Sequence, residues 1–251
     1  MLRLPFTDEQ EMFRDAYRRF LESELVPYRD EWWETGIIPR EIFKKAGEQG
    51  FLAVWVDEEY GGLGLKDFRF EQIMMEEIAR CQETGFMSPL HSRLIAPYLA
   101  DFGSEEQKHR YLPGVVSGDI LLMIAMSEPG AGSDLASMKT RAVDKGDHWL
   151  LNGSKTWISN GINGDLAIVA AKTDPNNERA IGLFLVEEGM PGFTRGKPLK
   201  KLGLMSQDTA ELFFSDVKVP MENVLGNPAK GFHYMMKYLA DERLICACQC
   251  V

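Results

Sequence analysis

The sequence predicts a multidomain α+β protein. Its parts are an all-α domain over residues 1–119, an antiparallel β-barrel or sandwich over 120–227, and a further helix over 228–251. Three observations predict this. Apolar residues recur at helical spacing through the first half; between Ile120 and Val219 the apolar runs shorten, and β-branched and aromatic residues gather between turn signals; from Pro228 the helical period returns. The strands alternate with turns and not with helices, which argues against a doubly wound parallel sheet.

Thr7 with Gln10 forms a capping box, and Met12, Phe13, Tyr17, Phe20, Leu21 and Leu25 follow at helical spacing until Pro27 stops them. Pro39 opens a second helix in its first turn and Gly50 ends it. A third runs from Asp67 to Arg80 on Phe70, Ile73, Met74 and Ile78. Ser104 with Gln107 starts a fourth, which Pro113 should close. Ile120–Met126, His148–Leu151, Leu166–Ala171, Ile181–Val186 and Glu211–Val219 read as strands. Asn152-Gly153 reads as a hairpin turn and Asp174-Pro175-Asn176-Asn177 as another connection. In the last helix Phe232, Met235, Met236, Leu239 and Leu244 recur with no partner helix in the sequence. An exposed apolar face and a missing continuation of the chain are therefore expected.

Composition narrows the function. The 251 residues are 45% hydrophobic and 26% charged, an ordinary globular balance with room for about two domains and a large core. Lys+Arg is 28 against Asp+Glu 38, a net charge of −10, which argues against a phosphate-backbone binder, so no nucleic-acid partner is expected. The longest apolar run, Ile120–Met126, is too short to span a bilayer, and no membrane insertion is expected. Met1–Phe6 lacks an apolar stretch and Asp8, Glu9 and Glu11 follow, so no secretory leader is expected. Four cysteines, three of them clustered at Cys246, Cys248 and Cys250, do not form a disulfide framework, and a reducing cytoplasm is expected. On a helix only Cys246 and Cys250 share a face and no histidine lies nearby, so these read as buried structural cysteines, with no metal site.

Two motifs carry chemistry. Ser127-Glu-Pro-Gly-Ala-Gly-Ser-Asp134 follows a strand directly and combines glycines, hydroxyls and exposed backbone N–H groups. That composition suits a phosphate-binding nest, though a plain tight loop explains it equally well. In Lys155-Thr-Trp-Ile-Ser-Asn-Gly161 an indole and a hydroxyl two residues apart share a strand face. They could stack on a flat heterocycle and bond its edge, or form a core Trp with a satisfied Ser. Glu59-Tyr-Gly-Gly-Leu-Gly-Leu65 lacks the strand-to-helix switch of a nucleotide loop and reads as a structural turn.

Met126-Ser-Glu-Pro-Gly-Ala-Gly-Ser-Asp134 followed by Asn152-Gly-Ser-Lys-Thr-Trp-Ile-Ser-Asn-Gly161 resembles the flavin-binding half of the acyl-CoA dehydrogenases. Gly62-Leu-Gly-Leu65, Phe102-Gly-Ser-Glu-Glu-Gln-Lys108, Leu202-Gly-Leu-Met-Ser-Gln-Asp-Thr209 and Asp216-Val-Lys-Val-Pro220 extend the match in order over nearly the whole chain. The resemblance implies a helical domain, a middle β-domain (expected as a barrel) and a C-terminal helical bundle of which only the first helix is present. It also implies FAD as cofactor. Met126, Ser127, Gly132, Ser133, Trp157, Ile158 and Ser159 are then cofactor-binding: Ser127 as a hydroxyl on the flavin ring, Ser133 near the pyrophosphate and acyl-CoA, Trp157 packed on the isoalloxazine, and Ser159 bonding N5. A donor aimed at N5 stabilises the charge that arrives with hydride.

The implied reaction is α,β-dehydrogenation of an acyl-CoA to a trans-2-enoyl-CoA, which requires a carboxylate base beside the thioester. Gly231–Leu244 resembles the long-chain branch, which with the isovaleryl branch carries its base on this helix just before an arginine. The resemblance puts Glu242 at the catalytic base and Arg243 on the CoA side, whereas the residues alone read as a solvated helix face. His233 stands where long-chain relatives carry an aromatic, which leaves acyl length open. The implied partners are an electron-transfer flavoprotein as acceptor and further copies of the chain in a dimer or tetramer. An acyl-CoA oxidase and a catalytically silent acyl-CoA-binding or assembly fragment are the alternative readings.

Overall fold

The structure is a computed structural model describing residues 5–250; Met1–Leu4, on which the leader expectation partly rests, and Val251 lie outside the described residues. Helix α1 (Asp8–Glu24) begins at the Thr7–Gln10 capping box, with Asp8, Glu9 and Glu11 in its first turn complementing the helix dipole. A 3-10 turn over Val26–Tyr28 leads to α2 (Arg29–Thr35), which the sequence reading missed because its Trp-rich, charged seven residues show no clean period. Helix α3 (Arg40–Glu48) is capped by Pro39. Helix α4 (Arg69–Cys81) packs along α1, and the Glu77 carboxylate between them takes Arg18 at 2.8 Å and Arg80 at 2.7 Å. A π-helical turn over Leu90–Ile95 runs into α5 (Ala96–Phe102), and α6 (Glu105–Ser117) follows from the Ser104–Gln107 capping box.

Pro113 does not close α6, contrary to the sequence reading. It removes one intrahelical hydrogen bond, but Val115 and Val116 beyond it are buried in the same core as Tyr111 and Leu112, and that burial outweighs the loss. The helix ends at Gly118, whose φ of 78° makes the left-handed cap.

Seven strands follow: β1 (Leu122–Ala125), β2 (Arg141–Asp144), β3 (His148–Ser159), β4 (Leu166–Lys172), β5 (Ile181–Glu187), β6 (Phe193–Arg195) and β7 (Thr209–Pro220). They form one curled sheet in the order β1-β4-β2-β3-β7-β6, with β5 on the other side of β4. The order of helices, then sheet, then helix matches the expected fold class. The short β2 and β6 carry too few residues to show a period and were missed. Four pairings are antiparallel, but β1 runs parallel to β4, Leu122 opposite Leu166 through Ala125 opposite Val169, and β2 meets β4 in parallel at Arg141 and Lys172. The all-antiparallel expectation fails there because the β2–β3 hairpin lies between the two strands in sequence and returns the chain in the same direction.

Asn152-Gly153 is not a hairpin turn. β3 continues through it with a register shift against β7, and the reverse turn lies earlier, at Gly146 (φ 93°). Asn152 exchanges two 3.0 Å hydrogen bonds with Asp216, and Gly153 accommodates the irregularity at φ 150°. Apolar alternation on both sides lets the strand absorb the turn signal as a bulge.

Helix α7 (Gly231–Gln249) closes the described chain. Gly231 lets it approach β5: a Cβ there would lie 2.6 Å from the Ile181 carbonyl oxygen. Met235 and Tyr238 join the core shared by α5, α6 and the sheet, and Ile245 is also buried. The expected apolar face is therefore only partly exposed, with Met236 and Leu244 left outward because the helix spends its other apolar side on its own chain.

Candidate active site

A cleft of about 230 Å³ opens between the π-helical turn, the ends of β1 and β3, and α7. Its walls are Leu90, Leu94 and Ile95, then Ile124, Met126 and Ser127, then Trp157, Ile158 and Ser159, and finally Glu242. Six of the residues singled out from sequence (Met126, Ser127, Trp157, Ile158, Ser159 and Glu242) thus meet in one place. Gly132 and Ser133 do not: they lie exposed on the loop beyond Ser127, where a Cβ added to Gly132 would meet open space. Arg243 is likewise exposed and outside the cleft lining.

The two motifs are riveted together by groups that sequence reasoning passed over. Lys155, with its side chain buried, donates from Nζ to Glu128 Oε1 at 2.9 Å and to the Met126 carbonyl at 3.0 Å. Glu128 also accepts the backbone N–H groups of Lys139 at 2.6 Å and Thr140 at 2.9 Å. Burial opposes the charge of Glu128, but these donors and Lys155 hold its carboxyl below the usual range. The Thr156 N–H donates to the Ser127 carbonyl at 3.0 Å and fixes the serine at the cleft wall. The available signal was that Glu128 and Lys155 are charges set inside otherwise small or apolar motifs.

Trp157 is presented by a second irregularity of β3. The register against β7 shifts between Lys155 and Ile158, and Trp157 takes φ 59°, so its indole is 63% exposed while Thr156 and Ile158 on either side are buried. Asn160, at φ 57°, ends the strand and donates its amide to the Leu122 carbonyl at 3.0 Å. The π-helical wall is anchored from behind by fully buried His91. Its Nε2 lies 2.9 Å from the Val115 carbonyl, and its Nδ1 accepts the Leu122 N–H at 3.1 Å. Burial lowers the His91 pKa to about 4, which keeps the ring neutral.

Glu242 is the one carboxyl in the cleft lining. Burial raises its pKa, the neighbouring Asp241 charge adds to the rise, and a 3.0 Å hydrogen bond from the Tyr98 hydroxyl opposes it. Among the described residues the Ser127 and Ser159 hydroxyls have no hydrogen-bond partner. An open indole, two free hydroxyls and a carboxyl with raised pKa around one cleft make a donor set that fits a flat heterocycle with polar edges and a C–H acid beside it.

Cys246 and Cys250 share a face, as expected. They are exposed and not buried, because that face borders a second, apolar cavity of about 330 Å³ with Met75, Ile78 and Met87 and does not enter a core. The Glu59–Leu65 segment is the turn expected: a 3-10 turn to Tyr60, then Gly61 at φ 89° and Gly62, where a Cβ would fall 2.0 Å from the Val56 carbonyl oxygen.

Comparison with known proteins gives a consistent result. The sequence profile of the acyl-CoA dehydrogenase N-terminal domain matches residues 7–119, and that of the middle domain matches residues 123–217. Long-chain specific acyl-CoA dehydrogenase of Rattus norvegicus mitochondria is 44% identical over 249 residues, 98% of this chain and 58% of that protein. The crystal structure of an acyl-CoA dehydrogenase from Geobacillus kaustophilus superposes with a TM-score of 0.94 at 49% identity, covering 97% of this chain and 65% of that one. A glutaryl-CoA dehydrogenase from Mycobacterium smegmatis in complex with FADH2 gives 0.81 at 32% identity, covering 88% and 56%. The chain spans about 58% of the length of the curated long-chain relatives it matches.

Proposed function

We propose, from the premise that this chain belongs to the acyl-CoA dehydrogenase family, that it builds the flavin and acyl-CoA cleft of an FAD-dependent enzyme converting acyl-CoA thioesters to trans-2-enoyl-CoA. The observation that carries this reading is the convergence on one cleft of residues distant in sequence: Ser127, Trp157, Ser159 and Glu242. The same premise supports an electron-transfer flavoprotein as acceptor and assembly with further copies of the chain. The sparse, lopsided cysteine usage supports a reducing compartment such as the cytoplasm.

In this mechanism Trp157, Ser127 and Ser159 would hold the flavin ring, the indole by stacking and the two hydroxyls by hydrogen bonds, and the exposed Gly132–Ser133 backbone would supply N–H donors to its phosphates. When bound, FAD supplies the two-electron acceptor for the β-hydride at N5. Glu242 takes the α-proton, and the Cα–H electron pair becomes the new C=C bond as the β-hydrogen leaves with its own pair. The apolar wall of Leu90, Leu94 and Ile124 desolvates the carboxyl, which raises its pKa and makes it a stronger base. Arg243, on the outer side of α7, is assigned to the CoA moiety.

The experiment is anaerobic titration of the purified protein with an acyl-CoA. A yellow protein that bleaches supports the reading, and Glu242→Gln should still bind acyl-CoA while losing flavin reduction by about 100-fold or more. A colourless protein that binds acyl-CoA without reduction would favour a silent binding fragment, and bleached protein reoxidised rapidly by O2 would favour an oxidase.

A further inference from the structure

Glu242 is not a free side chain at the cleft. The Tyr98 hydroxyl donates to its Oε1 at 3.0 Å, while Oε2 makes no hydrogen bond among the described residues. Tyr98 lies on α5, is fully buried, and is held from two sides, by Tyr238 at 4.9 Å and Phe102 at 6.1 Å between ring centroids. Tyr238 is fixed in turn, its hydroxyl donating to the Pro97 carbonyl at 3.3 Å. The phenol is thus a rigid donor from the helical layer, reaching across to a carboxyl on α7.

We propose that Tyr98 is the positioning residue of the base: its phenol holds Oε1 of Glu242 and leaves Oε2 as the one oxygen presented to the cleft. This rests on the reading of Glu242 as the α-proton base. A lone carboxylate on a helix samples several rotamers, and one hydrogen bond to a fixed donor removes most of them before substrate arrives. Tyr98 keeps its own proton throughout, because burial and the facing Glu242 charge push its ionisation far above the ordinary tyrosine range. The proton taken from substrate goes to Oε2, and Tyr98 Oη–H remains a donor to the group before and after transfer.

The other titratable or charged groups lie on three elements. Asp241 adjoins the carboxyl on α7 and raises its pKa, exposed Arg243 follows it, and Cys246 lies one turn further on; Tyr238, beside Asp101 of α5 and within the field of Arg93 from the π-helical turn, faces Tyr98. From the sheet side Ser127, Trp157 and Ser159 carry no charge.

Tyr98→Phe keeps the ring packing and deletes only the donor, so it separates positioning from folding. The first measurement follows the Glu242 13C-carboxyl shift against pH, assigned by its disappearance in Glu242→Gln. In Tyr98→Phe the titration midpoint should rise by about one pH unit, since a bond to the charged form has been lost. Asp241→Asn should move it the other way. The second measurement is flavin reduction by acyl-CoA in the FAD-loaded protein, where the acid limb of kcat should rise by the same interval. At a pH below that limb kcat should fall about tenfold, with KM changed less than about twofold. An unchanged midpoint overturns the proposal, as does a shifted midpoint with an unmoved acid limb. If instead Glu242→Gln still reduces flavin, the base assignment is wrong, a failure distinguishable because the Tyr98-dependent carboxyl shift would persist.

Discussion

Glu71, on α4, is fully buried, and among the described residues neither its carboxylate oxygens nor the Nε of the nearby Arg93 has a hydrogen-bond partner; the Arg93 charge lowers the Glu71 pKa without closing a bond. Desolvation dominates and raises the Glu71 pKa to about 7, against an ordinary value of 4.5. A carboxyl whose folded value lies above its unfolded value contributes stability that is fully present below pH 4.5 and lost as the pH rises through 7. Glu71→Gln should therefore be more stable than the parent at pH 8 by about 2–3 kcal/mol and nearly equal to it at pH 4.5, by urea denaturation at the two values. At the cleft, Trp157→Ala should weaken FAD binding at least about fivefold, checked by equilibrium dialysis, because stacking of this kind contributes about 1 kcal/mol. Trp157 was legible in the sequence as an indole beside a hydroxyl. Tyr98 was not, since nothing local relates an α5 phenol to a carboxyl 144 residues later.

The elements best read from sequence are those whose signals are local: the Thr7 and Ser104 capping boxes, the period of α4, and the Asp174–Asn177 connection between β4 and β5. The misread elements are those where a strong local signal lost to packing. Pro113 yielded to buried valines after it, and Asn152-Gly153 yielded to a strand paired on both sides of it. Gly153 shows the margin: it sits at φ 150°, and a Cβ would lie 2.4 Å from Thr140 Oγ1. Gly153→Ala should cost about 2 kcal/mol or more in denaturant melts, whereas Gly132→Ala, with open space around it, should cost less than about 1. Equal losses would show that the β3 bulge is not a constrained point.

At the scale of the whole molecule, α7 meets the helical layer and the sheet together and leaves Met236 and Leu244 outward, 42% and 46% exposed. These should drive self-association of the chain, and the double variant Met236→Glu, Leu244→Glu should shift sedimentation velocity profiles toward monomer without altering the melting curve. A parent already monomeric at high concentration would count against this. The parallel pairing of β1 with β4 has a biosynthetic consequence. The first strand leaves the ribosome about 40 residues ahead of β4, its pairing partner among the described residues, a wait of roughly 2–8 s at common elongation rates. During that interval Leu122, Met123 and Ala125 have no sheet to enter. The nascent chain must shelter this apolar segment against the helices already made, or on a holding chaperone, until β4 emerges.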